Sequence, residues 1–144
     1  MKPLFIAAIL FAALCTASAA AHTDAYFDKV ATAHGGQIRM AGPYHLELVV
    51  AGEVVTLFVT DHSDQPIDTA GASAKVIITS GKKKRYVVIL SPAGGNKLSG
   101  SGEFKLSKSS AVSVLIAFPD QEPQRANFTL KASGKASKKS KRHH

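Results

Sequence analysis

Met40 and His45 are the pair in this chain whose side chains and spacing could do chemistry. They flank Gly42-Pro43 in the run His34-Gly35-Gly36-Gln37-Ile38-Arg39-Met40-Ala41-Gly42-Pro43-Tyr44-His45. A hairpin centred on Gly42-Pro43 places Met40 directly opposite His45, and Ile38 opposite Glu47. Such opposed pairs have β-carbons roughly 4.5–5.5 Å apart. Both would lie on the face that does not carry Tyr44, Leu46 and Leu48. A thioether beside an imidazole suits a soft ion such as Cu(I) or Ag(I). Two ligands are too few for a site, and Glu47, on the same face, is a hard ligand. His34 has the right parity, but six extended residues carry it roughly 20 Å away. It joins only if the chain folds back at Gly35-Gly36. The alternative is that Met40 packs in a satellite core and His45 faces solvent.

His22 offers a second metal chemistry that depends on processing. Lys2, the apolar run Leu4–Leu14 and the small residues Ala17-Ser18-Ala19 have the layout of a secretory signal peptide. The apolar run is too short to span a bilayer. Cutting after Ala19 makes Ala20-Ala21-His22 the new N-terminus. Its amine, two amides and imidazole can wrap a square-planar Cu(II) or Ni(II). A cut one residue later destroys that arrangement, and His22 is otherwise a polar residue after a cleavage site. Export implies a periplasmic or extracellular location. Cys15 follows Leu14, where a lipobox wants a small residue, so a lipid anchor is not expected.

Removing the leader leaves roughly 125 residues, enough for one domain with one core. No cysteine remains, so any metal site must use His, Met, Asp or Glu. The net charge of +8 is unevenly spread: six of the eighteen basic residues fall between Lys131 and Arg142, and Lys82-Lys83-Lys84-Arg85 are consecutive. The tail from Ala132 has no apolar residue larger than Ala and is expected to be disordered. It could hold an anionic envelope surface by charge alone. Nucleic acid is not an expected partner, because no aromatic residues interleave with these lysines to stack bases. His143 and His144 are assigned no role.

The elements that must position these groups are strands. Thr23 to Ala33 reads as a short helix, capped by Thr23 and ended at Gly35-Gly36. Strands are expected at Gln37–Ala41, Tyr44–Val50, Val54–Asp61, Ala74–Ser80, Arg85–Leu90, Gly102–Leu106, Ala111–Phe118 and Arg125–Leu130, separated by turn residues. Seven or eight short antiparallel strands point to an all-β fold, an immunoglobulin-like β-sandwich, with a closed barrel as the alternative. The organisation is then a signal peptide over 1–19, helix and linker over 20–36, the β-domain over 37–131 and a basic tail over 132–144. The expected core comprises Leu46, Leu48, Leu57, Val59, Val76, Ile78, Val88, Leu90, Val114, Ile116 and Phe128. Asp61-His62-Ser63-Asp64, with Asp68 nearby, reads as an ordinary turn ahead of a cation-binding loop. Gly94-Gly95-Asn96-Lys97 lacks the spacing of a phosphate loop. No nucleophile motif is present, and an enzyme is not expected.

His34-Gly35-Gly36, Gly42-Pro43-Tyr44-His45-Leu46-Glu47-Leu48-Val49, Asp68-Thr69-Ala70-Gly71-Ala72-Ser73-Ala74 and Pro92-Ala93-Gly94-Gly95-Asn96-Lys97-Leu98 give the chain a resemblance. Over Ala33 to Leu130 it resembles small exported proteobacterial proteins. More faintly, it resembles the periplasmic β-domain of heavy-metal efflux adaptor subunits. The resemblance implies an exported β-sandwich near metal handling, with a heavy-metal efflux system as a partner and His34 and His45 as ligands. The expected function is a periplasmic protein that buffers or passes copper, as Cu(I) or Cu(II), or a related ion. The alternative is an interaction module that docks through its basic tail on an anionic surface or a protein partner, without metal.

Overall fold

Alternation of apolar and polar residues along each extended segment, broken by glycine-bearing turns, builds an antiparallel all-β fold in this computed structural model. It describes residues 24–28, 31–82 and 84–131. The eight strands are β1 (Gln37–Ala41), β2 (Tyr44–Ala51), β3 (Val54–Thr60), β4 (Ser73–Ser80), β5 (Lys84–Pro92), β6 (Lys97–Ser101), β7 (Ser110–Ala117) and β8 (Gln124–Leu130). They form one sheet in the order β1-β2-β3-β6-β5-β4-β7-β8. The ring nearly closes: β1 lies beside β8, and the Gln37 side-chain amide reaches the Thr129 carbonyl at 3.4 Å. In the immunoglobulin arrangement the second strand neighbours the fifth; here the neighbours of β2 are β1 and β3.

The seam between the two halves of the ring is β5. Residues 84–90 pair with β4, whereas Ser91 and Pro92 pair with Ser99 and Leu98 of β6. Gly100 permits this crossing, because a β-carbon there would collide with the Ile89 carbonyl oxygen. The sixth strand was expected at Gly102–Leu106, and the structure places it five residues earlier. Glu103-Phe104-Lys105-Leu106 alternates as a strand does, and Phe104 and Leu106 do pack against the core, but that segment joins no ladder. Lys97–Ser101 carries one large apolar residue, Leu98, and pairs because β3 and β5 flank it.

The interior is one cluster. Leu46 and Leu48 of β2, Val55, Leu57 and Val59 of β3, Val76 and Ile78 of β4, and Val88 and Leu90 of β5 meet there. Leu98 of β6, Val112, Val114 and Ile116 of β7, and Phe128 of β8 join them, together with Tyr44 and the smaller Ala41, Ala72, Ala74 and Ala126. All eleven expected core residues are buried in it. The 61–72 connection crosses from β3 to β4 and is pinned by Thr69. Its buried hydroxyl lies 3.2 Å from the Gly95 carbonyl and 2.9 Å from the Lys97 carbonyl.

The expected helix is one turn, α1 (Asp24–Phe27); from Ala31 to Gly36 the backbone is turn and coil. The expected signal peptide and His22, and the basic tail from Ala132 with its two terminal histidines, lie outside the described residues. Among the described residues, no helix is long and apolar enough to cross a membrane.

Candidate functional site

The outward face of β1, β2 and β3 carries two cross-strand rows. Met40 opposes His45, which opposes Thr60; Ile38 opposes Glu47, which opposes Phe58. Period-two alternation sends Leu46 and Leu48 inward and their neighbours outward. Outward residues of a surface strand would ordinarily meet water. Here His45 is 3% exposed and Glu47 5%. The cover is the chain's own N-terminal segment.

Three contacts hold that cover in place. Phe27, itself buried, sits edge-on to the His45 ring at a centroid separation of 4.9 Å. Arg39 reaches Asp28 at 3.0 Å and ties the helical turn to β1. His34 stacks flat on Phe58, with centroids 3.5 Å apart and planes 1° from parallel. The fold-back at Gly35-Gly36 makes the last contact possible. Gly35 has a φ of +72°, and a β-carbon on Gly36 would collide with the Leu48 carbonyl oxygen. Glycine therefore lets the linker cross β2 at backbone distance.

Glu47 is the hub. One carboxylate oxygen accepts from the Gly36 amide at 2.9 Å and the His34 amide at 3.1 Å; the other lies 3.0 Å from His34 Nδ1. Burial pushes the carboxyl up, but hydrogen bonds from the His34 side chain, the Gly36 amide, Thr32 and the His34 amide outweigh it. The net result is a value below the ordinary one.

The second imidazole has its own carboxylate. His45 Nδ1 lies 3.4 Å from Asp64 Oδ1. The ring also meets His62 edge-on at 4.8 Å, and His62 Nε2 lies 3.1 Å from the Gly42 carbonyl. Asp64 and His62 come from the turn after β3. There, Asp61 Oδ1 accepts the amides of Ser63 at 2.8 Å and Gln65 at 3.0 Å. The expected ordinary turn is what forms, with the Asp61 carboxylate spent on backbone amides.

Between cover and sheet lies a cavity of about 250 Å³, lined among others by Phe27, Ile38, His34, His45, Glu47 and Phe58. The structure thus brings His34 and His45 to one cavity and sets Met40 across from His45. It does not assemble a ready ligand cage. Among the described residues, no group of three or more His, Cys, Asp or Glu side chains is placed to hold a metal ion. Sequence reasoning missed Phe27 and Phe58, and it read His62 and Asp64 as part of a turn of their own rather than as neighbours of His45. Only Phe58 was in principle legible, as the outward residue of β3 facing Glu47. Comparison with models of protein families, with curated proteins and with solved structures gives no match.

Proposed function

We propose that this chain is a non-enzymatic metal-binding protein of the cell envelope, which buffers or passes copper or a related soft ion. The ligands in this reading are Met40, His45 and His34, beside the cavity under the N-terminal segment. One observation carries it. Two imidazoles line the same cavity, each with Nδ1 turned to a carboxylate, Glu47 for His34 and Asp64 for His45. A histidine that ligates a metal through one ring nitrogen commonly gives the other N–H to a carboxylate, which fixes tautomer and ring orientation. Met40, directly opposite His45, supplies the soft donor that favours Cu(I) or Ag(I).

With three such donors a monovalent soft ion is the better fit, since divalent copper prefers a square-planar nitrogen set. Ala20-Ala21-His22 would supply that set at a processed N-terminus. Export to the periplasm rests on the leader sequence, and delivery to a heavy-metal efflux system rests on the resemblance. A two-layer β-sandwich, without the immunoglobulin strand order, belongs to the same proposal. Its support is the division of the ring into two four-stranded halves, β1-β2-β3-β6 and β5-β4-β7-β8, joined through β5. Competition for Cu(I) against a colorimetric chelator, with the correctly processed protein, tests the function. One ion withdrawn per chain is expected; none withdrawn refutes it.

A further inference from the structure

The half of the ring farthest from the cavity has a distinctive charge pattern. No aspartate or glutamate occurs in β4, β5, β7 or β8. Their outward side chains instead form cross-strand rows of apolar, basic and uncharged polar residues. Ile89 opposes Lys75, which opposes Leu115, which opposes Arg125. In the next row Val87 opposes Ile77, and in the row after it Arg85 opposes Thr79. Ile89 is 57% exposed and Val87 54%, the two most exposed large apolar side chains among the described residues. Lys82 and Lys84 stand exposed at the β4–β5 turn.

We propose that this face docks on a bilayer surface bearing anionic headgroups. An exposed Ile–Val pair in a core strand is unusual in a surface of alternating charge, and here the charged residues in its own and the adjoining cross-strand rows, Lys75, Arg85 and Arg125, are all cations. That combination matches an interface with negative phosphates outside and apolar chains just beneath. A protein partner would be read by pockets and by paired polar groups of both signs. No carboxylate lies in these strands to pair with a partner's cation. The chain also leaves β8 at Lys131, at the same end of the sheet as Lys84. The register shows this: Leu130 pairs with Ser110, Ser110 with Ser80, and Ser80 with Lys84. The basic segment from Lys131 to Arg142 therefore starts beside the same surface.

Sedimentation with vesicles tests this. The probes are vesicles of phosphatidylcholine alone, vesicles with about one-third phosphatidylglycerol, and soluble polyglutamate. The proteins are the full processed chain, Lys84→Gln/Arg85→Gln, Val87→Ser/Ile89→Ser, and Val54→Ser as a control on β3, where Val54 is 45% exposed. The three variants should retain wild-type circular dichroism, since every changed side chain is exposed. Binding is expected to the phosphatidylglycerol vesicles and not to phosphatidylcholine. Each basic residue at such a surface is worth about fivefold, so the double charge variant should bind roughly 25-fold more weakly. The apolar variant should weaken as well, and the Val54 variant should not. Equal vesicle binding by all four proteins, lost only on deleting Ser133–His144, overturns the proposal in favour of the tail. Binding to polyglutamate that ignores Val87 and Ile89, without vesicle binding, overturns it in favour of an acidic protein.

Discussion

His34 Nδ1 lies 3.0 Å from Glu47 Oε1, across a fold-back that brings together residues thirteen apart in sequence. That contact turns an otherwise solvent-facing side of β2 into a buried polar site. It also makes the N-terminal segment part of the domain rather than a linker.

Gly36 is the pivot of that fold-back. Gly36→Ala should force its new β-carbon against the Leu48 carbonyl oxygen. We expect a loss of roughly 1–3 kcal/mol, the usual cost of inserting a methyl group into a packed contact. Gly52→Ala is the comparison: φ there is positive, at +61°, but the space beside it is open. It should cost only about 1–2 kcal/mol of left-handed strain. Urea denaturation measures both. The two differ further by NMR, since only Gly36→Ala should shift the His34 ring resonances away from their position over Phe58.

Glu47 makes stability depend on acid pH. Its folded value lies below the ordinary 4.5 because the hydrogen bonds from His34, Gly36 and Thr32 outweigh desolvation. A lowered carboxyl value stabilises the fold above the unfolded value. That contribution is lost as pH falls through the folded one. The melting temperature of the wild type should therefore decline as pH drops below about 4.5. Glu47→Gln should be less stable at pH 7 and show a shallower decline. Parallel melting curves from pH 7 to pH 3 would contradict this.

Thr69 anchors the long crossing connection. Thr69→Val keeps the shape and removes the hydroxyl that reaches the Gly95 and Lys97 carbonyls. The cost should be about 0.5–1.5 kcal/mol, the net worth of a hydrogen bond, because both carbonyls keep an amide donor, Thr69 N for Gly95 and Ala93 N for Lys97. Hydrogen exchange should accelerate at the Thr69 amide, which donates to the Gly95 carbonyl at 3.0 Å. Leu57→Ala, at the centre of the core, should cost more, about 2–5 kcal/mol.

What the sequence disclosed follows from which physics is local. Strand periodicity is local, so Leu46, Leu48, Val114 and Ile116 could be placed in the core from alternation alone. The Gly42-Pro43 hairpin is local too, and it set the Met40–His45 opposition before any coordinates. The sixth strand was misplaced because Lys97–Ser101 has little alternation of its own; its neighbours β3 and β5 recruit it. The cover over His45 was illegible for a related reason. Nothing near Phe27 announces that it will pack on a ring eighteen positions later. Glu47 looked like a hard ligand competing for a metal, whereas its oxygens are taken by His34 and Gly36. Closure of the ring between β1 and β8 depends on the first and last strands meeting, the least local contact of all.

The most direct test of the proposed metal site is calorimetric titration of Ag(I), a redox-inert stand-in for Cu(I). It would compare the wild-type chain with Met40→Leu, His45→Ala and Glu47→Gln, all lacking residues 1–22 so that no amino-terminal chelate contributes. Met40→Leu preserves volume and should cost at most roughly 1.5 kcal/mol of stability. One Ag(I) per wild-type chain is expected, with loss of most affinity in Met40→Leu and in His45→Ala, and a reduction of about 10–100-fold in Glu47→Gln, which acts through His34. Wild-type affinity in both the Met40 and His45 variants, or no binding by the wild-type chain, would contradict this.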